Sequence, residues 1–188
     1  MSKERITIVF DTETTGLIKP EVTDIKEQPQ IIEYYGKKVI HRNDGVIEFI
    51  DDLHFYCKPE EPVSELITKI THITNEQLAN KPSFVEVFPQ LQAFHVGCDE
   101  WVAHNCAFDA AMIANEVARI DKIIHFPFPP KHTCTVQATK AIEQRRLTLT
   151  KLHNYLFGFD FVDAHSAKGD VDALYKCYVE LIKRGTMQ

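Results

Sequence analysis

The chain has 188 residues, 44% of them hydrophobic and 26% charged, which suits one compact domain with its own core and leaves no stretch with the composition of a disordered tail. Its 21 basic residues against 27 acidic ones give a net charge of −6, which by itself argues against non-specific duplex binding, since that normally needs a basic face. The five cysteines (Cys57, Cys98, Cys106, Cys134 and Cys177) are odd in number and form no C-x-x-C pair, which argues against a disulfide framework or a zinc ribbon and predicts reduced, mostly buried thiols.

The first apolar run, Ile6 to Phe10, is too short for a signal-peptide core or a membrane span, so a cytoplasmic location is expected, or a nuclear one in a eukaryote, with no membrane partner. Residues 5–11 read as a buried strand. Residues 30–40 and 45–57 read as two more, joined by a turn at Asn43-Asp44-Gly45. Thr74 can cap a short helix over 75–79, and Ser83 with Glu86 forms a capping box for a helix over 84–96. A strand at 100–103, a helix over 107–119, a strand at 131–135 and a helix around 136–143 follow in alternation. Short and long helices over 151–157 and 169–183 close the chain, the last with Val171, Leu174, Cys177, Tyr178 and Leu181 at helical spacing. With no repeat, linker or low-complexity run, residues 1–188 are expected to form a single α/β domain: a mixed five-stranded sheet, three antiparallel strands then beta-alpha units, flanked by helices.

Three elements carry chemistry. In the first strand Asp11 and Glu13 stand two residues apart, so both carboxylates point to one side at the strand end, where they can share a hard cation. Taken alone, the pair reads more readily as a turn residue beside a solvated glutamate. In the second element, Trp101 to Asp109, an apolar strand turns into a helix whose first turn carries Asp109. That carboxylate could simply favour the helix dipole, worth about 0.3–1 kcal/mol. The third element, His165 to Asp170, puts a loop histidine five residues ahead of an aspartate that opens the last helix. Asp170 shares a face with Leu174, Cys177 and Leu181, and a carboxylate on a core-facing stripe needs a partner, because burying an unpaired charge is costly.

In combination these elements resemble the DEDDh (DnaQ-like) 3′→5′ exonuclease family, which includes the epsilon proofreading subunit of bacterial replicative polymerases. The likeness runs through nearly the whole chain. It rests on Asp11-Thr-Glu-Thr-Thr-Gly-Leu17, His104-Asn-x-x-Phe-Asp109 and His165-x4-Asp170, with Ile31-Ile32-Glu33, Lys58-Pro59, Ile73 to Leu78 and Lys81 to Phe84 in the family's order. One departure is local. Many proofreading members read Ile-His-Gly-Ile where this chain reads Ile70-Thr71-His72-Ile73, so no role is carried onto Thr71 or His72. His54 and His153 stand in apolar contexts and are expected to be structural.

The resemblance implies an RNase H-like fold and a catalytic set of Asp11, Glu13, Asp109, His165 and Asp170. The four acids would hold two Mg²⁺ or Mn²⁺ ions, a choice that suits oxygen ligands, and such a pair about 3.5–4 Å apart stabilises both the attacking and the leaving oxygen at phosphorus. His165 would be the general base, with an ordinary imidazole pKa of about 6.5. Thr14, Gly16, Leu17, Asn105 and Phe108 would bind the terminal nucleotide. The expected reaction is hydrolysis at DNA 3′ ends, single-stranded DNA favoured, releasing nucleoside 5′-monophosphates, in proofreading or end trimming. A DNA polymerase is left open as a partner. An RNA exonuclease resembling RNase T or oligoribonuclease is the alternative, although oligoribonucleases usually read Asp-Leu-Glu-Met-Thr-Gly at the first motif. An inactive nucleic-acid or polymerase-binding module is the third reading, disfavoured because all four acids and the histidine are present. Bound cations answer the objection from net charge, since carboxylates that hold them present positive charge to a phosphate. The scarcity of basic residues still predicts weak, non-processive binding.

Overall fold

The computed structural model describes residues 4–120, 125–161 and 166–187. Its first three strands, β1 (Arg5–Thr14), β2 (Ile31–His41) and β3 (Ile47–Tyr56), form an antiparallel meander. The turn between β2 and β3 closes as the Asp-Gly signal predicts: Gly45 takes φ 85°, and the Arg42 N–H donates to the Val46 carbonyl at 2.8 Å. A short 3-10 helix, Ile25–Glu27, lies between β1 and β2, and the other elements are α1 (Glu65–Thr71), α2 (Asn75–Leu78), α3 (Phe84–His95), β4 (Glu100–Ala103), α4 (Cys106–Ile120), β5 (Lys131–Cys134), α5 (Thr135–Glu143), α6 (Leu149–Phe157) and α7 (Ala167–Lys183). Strand order is β3-β2-β1-β4-β5, with β4 parallel to β1 and β5 parallel to β4. This is the mixed five-stranded sheet expected from the sequence.

The alternation of side chains along a strand gives the sheet two cores. From β1, Ile8 and Phe10 face a cluster with Leu91 and Phe94 of α3 and Met112 and Ile113 of α4. Val9 points the other way, toward Leu152 of α6 and Val171, Leu174 and Cys177 of α7. β4 divides likewise, Trp101 joining the first cluster and Val102 the second. Cys57, Cys98, Cys106 and Cys177 are buried free thiols, whereas Cys134 is half-buried. Among the described residues no helix is long and apolar enough to cross a membrane.

Local signals placed most helix starts. Gln77 accepts the Thr74 N–H at 2.7 Å while the Thr74 hydroxyl accepts from Gln77, and Glu86 accepts the Ser83 N–H at 2.7 Å. The differences lie at ends and in one short helix. β1 continues through Thr14, past the expected stop at residue 11, because β2 keeps pairing with it to Thr14↔Ile31. The pairing slips between Glu13 and Thr14. α6 and α7 each begin two residues earlier than expected, at Leu149 and Ala167, capped by Thr148 and Ser166. α1 was not anticipated. Its Ser64 hydroxyl accepts the Ile67 N–H at 3.3 Å, but Leu66 and Ile70 are exposed and Thr71 is its one buried residue, so it carries no buried apolar stripe to recognise.

α7 is held by its apolar stripe, and Leu174 is fully buried in it. Leu174→Ala is expected to cost about 2–5 kcal/mol, read as a lower urea midpoint with an unchanged slope.

Candidate active site

The row that begins with Val9 continues as Asp11 and Glu13, so both carboxylates face the layer that contains α7. On α7, Asp170 lies four residues before Leu174, on the stripe that packs against this face of the sheet. The two patterns meet. One carboxylate oxygen each from Asp11, Glu13 and Asp170 lies within 4.8 Å of the others, and all three residues are half-buried.

Asp109 reaches the same strand from the opposite layer. β4 pairs with β1 only from Thr7↔Glu100 to Val9↔Val102, then turns through His104 and Asn105 into α4. Beyond Val9 that edge of β1 has no partner strand, and Asp109 takes its place: it accepts the Thr12 N–H at 3.2 Å and the Thr12 hydroxyl at 2.8 Å. Asp109 is 2% exposed. It therefore stands beside the trio, across the strand end, rather than in it.

Burial is the main force on these acids, and their mutual repulsion adds to it. Asp11 is pushed well above the usual carboxylate range by burial, then by the charges of Asp109, Glu13, Asp170 and Glu33. Glu13 is raised to about 8 by burial and by Asp170, Glu33 and Asp109. Asp109 is raised by burial to about 7, against the pull of its bonds from Thr12. The neighbouring lysines do not relieve this, since Lys37 and Lys168 both bond Asp172. Clustered carboxylates in this state take up protons or hard cations, and an all-oxygen donor set fits divalent ions of the Mg²⁺, Mn²⁺ or Ca²⁺ kind.

The expected nucleotide-binding residues extend from the same strand end. Thr14 is buried and its hydroxyl donates to the Gly16 carbonyl at 2.8 Å. A Cβ at Gly16 would meet nothing within 4 Å, and Leu17 is 79% exposed, clear of both cores. Thr15, Gly16 and Leu17 border a cavity of about 440 Å³. Asn105 takes φ 81° in the exposed turn before α4, and Phe108 is half-buried against the α3 and α4 core. His165 lies outside the described residues.

The other histidines divide. His153 is 1% exposed, within 2.9 Å of the Phe159 carbonyl and packed among Phe157, Phe159 and Phe161, as a structural histidine should be. His104 is held between the Thr135 hydroxyl and the Leu147 carbonyl. His54 corrects the expectation of an apolar setting. Its side chain is 35% exposed and its Nε2 lies 2.8 Å from Glu33, a carboxylate with 2% exposure. Sequence reasoning had assigned Glu33 and Thr12 no role. The available signal was register: a charged residue inside the apolar run Ile31 to Tyr35 has to point at something polar.

A family model described as exonuclease matches residues 8–178. Among curated proteins, the chain is 29% identical over 187 residues to a DNA polymerase III PolC-type of Staphylococcus aureus, covering 97% of this chain and 12% of that protein. It is 37% identical over 118 residues to the same type of protein from Staphylococcus haemolyticus, covering 63% of this chain and 7% of that protein. The chain thus spans a small part of the relatives it matches. Among solved structures, a full-length 3′-exonuclease superposes with a TM-score of 0.74 at 18% identity, covering 98% of this chain and 62% of the other. That likeness carries the fold, which is the RNase H-like α/β arrangement expected from the motifs.

Proposed function

Because this chain belongs to the exonuclease family, we propose that it is a metal-dependent 3′→5′ exonuclease that shortens DNA from its 3′ end and releases nucleoside 5′-monophosphates. The observation that carries this reading is the convergence of Asp11, Glu13 and Asp170 within 4.8 Å at the end of β1. DNA is favoured over RNA by the polymerase relatives, and the same likeness suggests that residues 1–188 act as one exonuclease domain in association with a DNA polymerase. Free thiols at all five cysteines suit a reducing, cytoplasmic location.

Asp11, Glu13 and Asp170 would hold one Mg²⁺ or Mn²⁺ ion, and Asp11 with Asp109 a second. Such cations supply neutralisation of phosphodiester charge and a water more easily deprotonated. The chain's own groups do the rest. Thr12 fixes the Asp109 carboxylate, and the apolar stripe of α7 brings Asp170 to the β1 face of the sheet. Thr14, Gly16 and Leu17 would bind the terminal nucleotide, with the exposed Leu17 side chain at the edge of the cavity offering an apolar surface to a base. Asn105, in the turn before α4, and Phe108, in its first turn, would add contacts to the nucleotide. His165, next to the Ser166 cap of α7, takes the proton of the attacking water.

Matched 5′-labelled DNA and RNA oligonucleotides, incubated with Mg²⁺ or Mn²⁺, test the reading. Stepwise shortening of DNA in preference to RNA supports it, the reverse preference selects the RNA alternative, and no shortening of either overturns the enzyme. His165→Ala is expected to lower turnover by about 10²–10⁴-fold with little effect on the KM for oligonucleotide.

A further inference from the structure

We propose that Glu33 is a positioning residue for the metal-binding carboxylates, tying the first turn of α7 to β2 so that Asp170 is held against Glu13. The inference rests on the metal-dependent reading above. In the β1–β2 ladder Glu33 stands directly opposite Glu13, the last regular pair before the register slips. Its Oε2 accepts the N–H of Ala167 at 3.3 Å, and its Oε1 lies 2.8 Å from His54 Nε2 on β3. The Tyr56 phenol, also on β3, has its pKa raised by burial and by the charge of the same carboxylate. One buried side chain therefore joins the meander to the start of the helix that carries Asp170, three residues further on.

The need for such a tie is visible in the cavity that Glu33 and Tyr56 themselves help to line. Ser166, Lys168 and Gly169 border a cavity of about 380 Å³ whose far wall is Thr71, His72 and Ile73, so the first turn of α7 is not packed against the α1–α2 connection. The first amides of a helix have no intrahelical acceptor. Ser166 supplies one for Gly169 at 3.1 Å, and Glu33 supplies one for Ala167. Without the second, the Asp170 carboxylate keeps its helix but loses its fixed distance from β1. Groups that hold a ligand in place behave this way: their replacement typically weakens metal binding by about 10–100-fold without removing a ligand.

Two substitutions separate reach from charge. Glu33→Gln loses the charge and keeps an oxygen at the right distance for the Ala167 amide. Glu33→Asp keeps the charge and is one methylene too short. Mn²⁺ binding is measured by calorimetry on the protein without nucleic acid, alongside amide exchange at the start of α7. Glu33→Asp is expected to weaken Mn²⁺ binding about tenfold and to deprotect the Ala167 amide. Glu33→Gln, which also removes a charge that acts on Asp11 and Glu13, should keep the Ala167 amide protected and change Mn²⁺ binding less than Glu33→Asp does, and the KM for oligonucleotide at saturating Mn²⁺ should not move in either. Stronger weakening in Glu33→Gln than in Glu33→Asp, or wild-type binding in both, overturns the proposal. A wild-type Ala167 amide that exchanges freely also overturns it, whatever the variants do. If wild type itself binds no Mn²⁺, the metal-dependent reading fails instead.

Discussion

Asp11→Ala is expected to reduce 3′-end shortening by at least about three orders of magnitude while making the metal-free protein more stable. Asp11 is the acid on which the rest act, pushed upward by burial and by Asp109, Glu13, Asp170 and Glu33 together. Removing it takes an oxygen from the group that converges within 4.8 Å and leaves the remaining acids too few for the proposed pair of cations. Metal chemistry of this kind contributes several kcal/mol at the transition state, and each 1.36 kcal/mol is about tenfold in rate, which sets the scale. Stability moves the other way, because the desolvated, repelled carboxylate is unfavourable to the folded state until a cation is present. Turnover with a 5′-labelled oligonucleotide and thermal melting in chelator measure the two effects. Full activity in the variant would remove Asp11 from the metal site. Lower stability in chelator would mean that its charge is neutralised by the protein.

That opposition explains how much of the site was legible beforehand. The residues whose spacing carries information were readable: Asp11 and Glu13 share a strand face because side chains alternate, and Asp170 shares the stripe of Leu174 because helices repeat. Helix starts at Thr74 and Ser83 were readable because caps are local chemistry. What escaped depends on distance in sequence. That Asp109 bonds Thr12, 97 residues away, follows from where β4 stops pairing with β1, which no local pattern records. The link from Glu33 to Ala167 spans 134 positions and runs across the sheet. The length of β1 was missed for a related reason. Thr12 and Thr14 look polar and turn-like in isolation, yet β2 keeps pairing there and Asp109 satisfies the free edge. α1 was missed because a helix with exposed Leu66 and Ile70 has no buried stripe to announce it.

The same acids set the pH dependence of the metal-free fold. Unfolded, Asp and Glu titrate at about 4. Folded, Asp109 titrates at about 7, Glu13 at about 8, and Asp11 is also well raised. Between these limits the folded protein binds more protons than the unfolded chain, so its stability falls as pH rises. In chelator the melting temperature should therefore be higher near pH 5.5 than near pH 8, the opposite of the usual behaviour of ion-paired carboxylates. A divalent cation replaces those protons and binds the folded state, so its benefit grows with pH as proton competition fades. At a hundred times its dissociation constant it adds about 2.7 kcal/mol. For a chain of this length that corresponds to a rise of about 5–10 °C in melting temperature. Melting curves recorded across pH 5.5–8 in chelator and in excess Mn²⁺ should diverge with rising pH. Parallel curves would show that the cluster neither holds protons in the free protein nor exchanges them for metal, and the electrostatic account of the site would fail with them.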